Sequence, residues 1–566
     1  MMPRIGVFIC HCGHNIASAV DVEKVAEFAK TLPDVVVAAH NMYSCSEEGL
    51  GAIRRSIEEN KLDRVVVAAC TPRTHEPLFR RNCERAGVNK YLFEFVNIRE
   101  HVSWIHAKEP LAATEKAKML VAMGVAKAAL LQPQEETESG VIPVAVVIGG
   151  GIAGLSAASA LVSQGIETHL IEKEPQLGGI LKDIAVIGPE MVKTKEIIDG
   201  MVKEIGSSPK AHVHLSSRMT ELTGFVGNFE ITVTAADKCA EKIKAGTVIV
   251  ATGGQEWSPQ GEFGYGKMPG VITQLELERR LAKGEFPDSA VFIQCVGARV
   301  PGREYCSRFC CNASIKNAIR IMEARPEAQV SILHRDIMSY GTTAERAYHD
   351  AAEKGVRFMR YGLESLPKVD KLGDNLHVDV YDETLDDTIG MSTDVVVLAA
   401  PMVPIDNVKD LAMMLKVPVD KLGFFLEAHV KLRPVEFATE GIFICGTARW
   451  PSSVSECISQ GLGAAAKASI PIRRGKVKIE PITAYSDPEK CIACGNCVQA
   501  CPYQAIEIVT SKEGKRYAQV TEAKCKGCGN CVAACHNDAM QQKGFNTTQL
   551  SAMIDALIKN ALEVVQ

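Results

Sequence analysis

Eight of the twenty cysteines stand between Cys491 and Cys535, and their spacing is duplicated. Cys491-x2-Cys494-x2-Cys497-x3-Cys501 is followed by Cys525-x2-Cys528-x2-Cys531-x3-Cys535. Runs of this kind ligate [4Fe-4S] clusters, and the fourth thiolate of each run crosses to the other cluster. The expected sets are Cys491, Cys494 and Cys497 with Cys535, and Cys525, Cys528 and Cys531 with Cys501. Zinc is the competing reading of C-x2-C pairs, but it uses two pairs per ion and gives no reason for two longer runs. A third array, Cys295-x10-Cys306-x3-Cys310-Cys311, again supplies the four thiolates that one cluster needs. Its bland alternative is a buried strand cysteine beside an incidental loop. A fourth group is dispersed: Cys10 and Cys12 in Cys10-His11-Cys12-Gly13, then Cys45 and Cys70, with Cys83 in reserve. Cys239, Cys445 and Cys457 have no partner at ligand spacing and are expected to be small buried apolar residues.

The other chemistry-bearing stretch is rich in glycine. The apolar run Val144 to Ile148 leads into Gly149-Gly150-Gly151-Ile152-Ala153-Gly154, then into the alanine-rich Leu155 to Gln164. This is the G-x-G-x-x-G order between strand and helix, where a pyrophosphate rests on the helix N-terminus. Alone it reads equally as a tight turn. Glu172, at the end of the next expected strand, stands where an acid bonds a ribose hydroxyl. Pro175 to Gly179, Thr247 to Gly254, Gly441 to Ala448 and Gln460-Gly461 complete a pattern that resembles the FAD domain of two-dinucleotide-fold flavoproteins such as thioredoxin reductase. The resemblance implies FAD held by Gly149, Gly151, Ile152, Ala153, Gly154, Glu172, Lys173, Gly178, Gly179, Ala251, Thr252, Gly253, Gly446, Thr447, Gln460 and Gly461. Those flavoproteins usually carry Asp where this chain has Thr447, a hydroxyl that bonds without charge.

The elements that must position these groups follow from periodicity. Ile5 to Cys10, Val35 to Ala39 and Arg64 to Ala69 are apolar runs separated by the helically spaced Val22 to Leu32 and further polar sequence. This alternation predicts a parallel α/β sheet. Cys10, Cys12, Cys45 and Cys70 fall beyond the carboxyl ends of its strands, where ligands gather in open α/β sheets. His11, His14 and His75 lie near the same ends and are read as structural. Ala290 to Cys295 is the expected first strand of a second Rossmann-like unit, but the cysteine array replaces its phosphate loop, with a helix expected only from Ala313. Arg335, after the strand Val330 to His334, is weak support for a pyridine nucleotide without that loop. Adjacent Cys310 and Cys311 cannot point the same way on a regular helix, so irregular backbone is expected. Polar stretches Gln132 to Ser139 and Arg473 to Glu489 mark boundaries, and Thr547 to Val565 is a closing helix.

The expected fold class is therefore α/β: an N-terminal parallel α/β domain over 1–135, a thioredoxin-reductase-like two-dinucleotide-fold core over 141–470, an α+β two-cluster ferredoxin domain over 471–545, and a helix over 546–566. Within the core, 141–284 and 405–470 form the FAD part and 285–404 the second Rossmann-like part. A length of 566 residues suits several domains. Net charge of -5 gives no bulk attraction to nucleic acid or anionic membrane. Val141 to Gly165 is uncharged and longer than the ~20 residues of a spanning helix, but adjacent glycines break it. No cationic segment followed by an apolar core opens the sequence, so a cytoplasmic location is expected, and clustered thiols there read as redox or metal ligands rather than disulfides.

Taken together, Cys10-His11-Cys12-Gly13, Ala69 to Pro77, Asn97-Ile98-Arg99-Glu100 and the Cys295 to Cys311 array resemble the A-type iron-sulfur flavoprotein of heterodisulfide reductase over essentially the whole chain. In that family the A-type component carries FAD and several [4Fe-4S] clusters and bifurcates electron pairs from a hydrogenase or formate dehydrogenase, toward B- and C-type subunits and toward ferredoxin. The resemblance implies a cluster at Cys295, Cys306, Cys310 and Cys311 near the flavin, another at Cys10, Cys12, Cys45 and Cys70, and Lys316 as a catalytic lysine beside the isoalloxazine. An ammonium there stabilises an anionic reduced flavin; otherwise Lys316 is a solvated helix residue. It also implies a homodimer within a larger complex.

One departure bears on mechanism. Larger members insert a second ferredoxin domain after the stretch corresponding to Leu177 to Asp183, and this chain has no cysteine between Cys83 and Cys239. Either the tail serves both input and output, or a further polypeptide supplies the relay, or electrons pass without bifurcation. Two other functions compete: a self-sufficient NAD(P)H oxidoreductase like the glutamate synthase small subunit, which requires the absent second glycine loop, and a cluster-bearing scaffold with a structural flavin.

Overall fold

The computed structural model describes residues 2–373 and 375–565. They form two compact units, one from residues 1–138 with 478–566 and the other from residues 139–477. The first unit is discontinuous in sequence.

In the first unit, four parallel strands stand in the order Val35–Asn41, Ile5–Cys10, Arg64–Ala69, Phe93–Asn97. The inner two are buried on both faces, as continuous β-branched runs require. Helix Val22–Ala29 begins at Asp21, whose carboxylate accepts from Lys24 N at 3.1 Å. Helix Pro110–Ala129 buries Ala113, Ala117, Val121, Val125 and Ala128 against the sheet. Helix Thr547–Val565 packs on that helix, and Gln549 Nε2 donates to Leu130 O at 3.1 Å. The expected N-terminal domain, ferredoxin segment and closing helix thus share one unit. Lys127, almost wholly buried, pairs with Glu94 at 2.8 Å and lies 3.6 Å from the centre of the Phe545 ring. Burial raises the Glu94 pKa, and the Lys127 ammonium opposes the rise.

The second unit holds two five-stranded parallel sheets. The first runs Ala211–His214, Glu167–Ile171, Val144–Ile148, Thr247–Val250, Ile442–Ile444, with helices Ile152–Ser163 and Val454–Arg474 packed together beside it. The second runs Val271–Thr273, Val395–Leu398, Ser289–Ile293, Gln329–His334, Arg357–Arg360. Because Val271–Thr273 is a strand of the second sheet, that part begins near residue 271 and not at 285. Each sheet carries a three-stranded antiparallel companion. Helix Val454–Arg474 also runs past the boundary expected at 471, ending at Gly475 in the left-handed region. Residues Thr137–Gly140, expected to be linker, form a strand. No helix among the described residues is long and apolar enough to cross a membrane.

Candidate functional site

The glycine turn after Val144–Ile148 is set by two close approaches. Gly149 has φ of 110°, and a Cβ there would meet Ala251 O, while a Cβ on Gly154 would meet Gly149 O. Gly151 has nothing nearer than 4.0 Å to a Cβ, which leaves the backbone open at the start of helix Ile152–Ser163. Glu172 Oε2 accepts from Gly150 N at 2.6 Å and its Oε1 from Glu174 N at 2.8 Å. The carboxylate thus holds the loop and keeps lone pairs for a further donor.

A cavity of about 1000 Å³ opens from this turn. Gly149, Gly151, Ile152, Ala153, Glu172, Lys173, Gly178, Gly179, Ala251, Thr252, Gly253 and Thr447 line it. Four expected residues shape it from behind. Gln460 Oε1 accepts from Gly446 N at 2.9 Å, and a Cβ on Gly461 would press on Ala153 O at 2.5 Å. Gly154 sits under the turn. FAD fits this cradle: its size, its open glycine backbone and the buried Thr252 Oγ1, which has no hydrogen-bond partner, all suit a dinucleotide. Thr447 faces the same wall, its Oγ1 3.5 Å from where a Cβ on Gly253 would stand.

Lys316 lines the same cavity but is not solvated. Only 3% of its side chain is exposed, and its ammonium is paired with Glu278, itself 5% exposed. Asn317 Nδ2 donates to the same Glu278 oxygen at 2.9 Å, and Arg320 stands 3.8 Å from the other. Burial pulls the Lys316 pKa down and Glu278 opposes the fall. Nothing in the sequence marks Glu278, which occupies an ordinary amphipathic helix, Gln274–Ala282. Glu256 is a second residue missed by sequence reasoning. It lines the cavity, accepts from Leu275 N at 3.2 Å, and has its pKa raised by burial.

The second sheet brings Cys295, Cys306, Cys310 and Cys311 together. The strand stops at Ile293, so Cys295 is not a strand residue: it turns out with φ of 59°. Helix Cys310–Ala324 starts at the paired cysteines, earlier than expected from Ala313. The irregular backbone lies before it, at Cys295, Arg299 and Arg308, all with positive φ. Cys310 Sγ lies 3.8 Å from Ala400 O, whereas Cys311 Sγ lies 3.8 Å from Asp336 O. Burial, then the neighbouring thiols, push Cys310 well above its ordinary pKa, and burial pushes Cys311 to about 11. Thiols so placed gain by binding metal as thiolates. Arg299 and Arg335 favour the thiolate at Cys295 against its burial. Arg335 commits its guanidinium to the carbonyls of Ala298 and Arg299 at 3.3 Å.

In the first unit, a recess of about 90 Å³ is lined by Cys491, Cys494, Cys497 and Cys535, the crossed set that the spacing predicts. Cys501 lies with Cys525, Cys528 and Cys531: burial, then Cys525, Cys501 and Cys528, raise the Cys531 thiol. Backbone amides point at the sulfurs: Ala518 N at Cys491, Ala484 N at Cys525, Ala505 N at Cys501 and Met540 N at Cys535, at 3.3 to 3.4 Å. Such donors suit anionic cluster thiolates. Cys10, Cys12, Cys45 and Cys70 also gather: burial and Cys10 raise Cys45, burial raises Cys70, and Arg99 lowers it. Ser44 N and Cys12 N donate to Cys10 Sγ at 3.4 and 3.3 Å.

Cys83 is instead a core residue beside Phe79 and Leu50, its thiol pushed by burial to about 12. His11 bonds His40 at 2.9 Å, and burial lowers His11 and His75. Cys445 and Cys457 are buried, as expected of small apolar residues, but Cys239 is exposed on an antiparallel hairpin.

Two family models match the chain. "Pyridine nucleotide-disulphide oxidoreductase" covers residues 144–461 and "4Fe-4S dicluster domain" covers 490–539. The first of two A-type iron-sulfur subunits of CoB-CoM heterodisulfide reductase from Methanopyrus kandleri is 38% identical, over 99% of this chain and 98% of its own length. The A-type subunit of the H(2):CoB-CoM heterodisulfide,ferredoxin reductase of Methanothermobacter marburgensis is 36% identical, over 98% and 97%. The first alignment runs to 659 positions against 566 residues here, so that relative carries residues with no counterpart in this chain. Among solved structures, thioredoxin reductase of Lactococcus lactis aligns to 59% of this chain and 100% of its own, at 18% identity and a TM-score of 0.42.

Proposed function

Because the chain belongs to the family of A-type heterodisulfide reductase subunits, we propose that this FAD and iron-sulfur oxidoreductase is the electron-distributing subunit of a heterodisulfide-reductase-type complex. The observation that carries the proposal is the replacement of the second nucleotide loop by Cys295, Cys306, Cys310 and Cys311, on the unit that also holds the glycine-lined cavity.

FAD supplies an exchange between electron pairs and single electrons. The chain's own residues bind and tune it. The backbone of Gly149 to Gly151 receives the pyrophosphate, and Glu172, steadied by Gly150 N and Glu174 N, accepts from a ribose hydroxyl. Lys316 and Glu278 set opposed charges in the cavity wall, so small shifts of either change the field at a ring bound there. Cys295, Cys306, Cys310 and Cys311 hold one cluster, the tail thiols hold two, and Cys10, Cys12, Cys45 and Cys70 hold a fourth. Electron pairs enter from a hydrogenase, a formate dehydrogenase or another input subunit. They leave toward B- and C-type subunits and toward ferredoxin, divided by flavin-based bifurcation, and the complex contains two copies of this chain. Without the additional residues of the Methanopyrus relative, the ferredoxin branch falls to the tail or to a separate polypeptide, and if neither serves it, electrons pass without bifurcation.

A self-sufficient NAD(P)H oxidoreductase is the second reading, favoured by the five parallel strands that remain of the second dinucleotide fold. Anaerobic titration of the isolated protein, followed at the flavin band, separates the two. Reduced ferredoxin is expected to bleach the flavin, and NADH and NADPH to leave it oxidised. Bleaching by either nucleotide overturns the reading of the cysteine loop as a replacement.

A further inference from the structure

Outside the cavity and the thiol sets, one group of metal-ligating side chains among the described residues brings its donor atoms within 4.8 Å of one another: Glu167, His169 and His212. Strand register places them. Glu167–Ile171 and Ala211–His214 pair in parallel with His212 beside His169. Alternation along the strands puts Glu167 two residues before His169 on the same face, and His214 two after His212.

Both imidazoles turn Nε2 toward one carboxylate oxygen. Glu167 Oε1 lies 3.8 Å from His169 Nε2 and 3.5 Å from His212 Nε2. These separations exceed those of hydrogen bonds, and 3.5 Å is close to the ~3.3 Å between donors of a tetrahedral zinc ion. The two rings stack with centroids 4.5 Å apart, so the two Nε2 atoms stand side by side facing the same carboxylate. A second layer stands behind the pair. His169 Nδ1 is 2.9 Å from His214 Nε2, and His214 Nδ1 is 3.6 Å from Glu241 Oε2. With the shared hydrogen on His169 Nδ1, that ring presents Nε2 as the ligand, and His214 is the outer-shell partner that metal-bound histidines have. Exposure grades from His169 at 11% to His212 at 44% and Glu167 at 48%, so one side stays open to solvent.

We propose that Glu167, His169 and His212 form a binding site for a divalent transition-metal ion of the zinc class, with solvent as remaining ligand and His214 as the positioning residue behind it. Two imidazoles and a carboxylate suit zinc among the first-row ions that such donors take. The site clamps the edge strand Ala211–His214 onto the sheet that carries the glycine turn.

The test is equilibrium dialysis of the flavin- and cluster-loaded protein against micromolar zinc, with zinc and iron counted separately by mass spectrometry. Thiol-bound zinc cancels in the difference between variants. Wild type is expected to hold one zinc per chain more than His212→Ala at unchanged iron and flavin content. His214→Phe is expected to weaken binding tenfold or more while full occupancy remains reachable at higher zinc. His349→Ala, at an exposed histidine beside Glu345 on helix Thr342–Glu353, is expected to bind as wild type does. Equal zinc in wild type and His212→Ala, or an equal loss in His349→Ala, overturns the site.

Discussion

Lys316 shows how a residue's environment changes its meaning. On a helix surface it is a solvated ammonium; here it is sealed in with Glu278, and removing one member of such a buried pair costs about 3–5 kcal/mol because the other is left uncompensated. Substitution at either position is therefore expected to lower thermal stability, but the two should act oppositely on the flavin. Lys316→Met removes positive charge from the cavity wall and is expected to lower the flavin midpoint potential. Glu278→Gln removes negative charge and is expected to raise it. Anaerobic spectroelectrochemical titration of both variants checks the pair of signs, and shifts in the same direction would place the pair away from the ring. Glu278 is not legible in the sequence because its helix has ordinary amphipathic spacing and the contact joins residues 38 apart. The tail and the Cys295 to Cys311 array stand out in the sequence because their thiols recur at short spacing, whereas Cys10, Cys12, Cys45 and Cys70 are brought together only by the sheet.

At the level of elements, the tail folds as two short helices, each entered through a left-handed glycine, Gly495 before Asn496–Ala500 and Gly529 before Asn530–Ala533. The ligand sets proposed for the tail, each completed by a thiol of the other run, make Cys535→Ser a discriminating change. It is expected to abolish the cluster of Cys491, Cys494 and Cys497 and to spare that of Cys525, Cys528 and Cys531, with a fall of about four irons per chain and loss of one electron paramagnetic resonance signal. A second element-level device is the clamp at Glu136. Lys90 at 2.6 Å, Lys478 at 2.7 Å and Tyr91 at 3.1 Å share its carboxylate. Burial pushes its pKa up, but these partners outweigh burial and hold it at about 2. A carboxyl whose folded pKa lies below its unfolded value stabilises fully above the unfolded value, and the gain is lost as pH falls toward the folded one. Glu136→Gln is expected to cost of order 1 kcal/mol at pH 7, the gap closing as pH falls from 5 toward 3 in rapid anaerobic unfolding measurements. Strand and helix order are readable because each run keeps one period. Legibility fails where the backbone leaves regular geometry. The strand before Cys295 reads two residues too long because the backbone amide of buried Gln294 still donates to Leu333 O at 2.9 Å, and the chain turns left-handed only at Cys295. The start of the second sheet is hidden because a three-residue strand, Val271–Thr273, has no periodicity to read.

For the whole molecule, the proposed role predicts dependence on partners. The isolated chain, loaded with flavin and clusters, is expected to show no heterodisulfide reduction from reduced ferredoxin, and addition of B- and C-type subunits is expected to restore it. Turnover by the chain alone would place the disulfide chemistry here. The division into a continuous unit, 139–477, and one assembled from both ends of the sequence also constrains biosynthesis. During translation the flavin-binding unit is complete before the ribosome has made the tail, so it can close while the opening sheet still waits for helix Thr547–Val565 to cover Pro110–Ala129. A chain cut short after residue 477 keeps the residues of the glycine cradle but lacks the tail cysteines and the helix that covers Pro110–Ala129, and such newly bared surface is expected to favour aggregation.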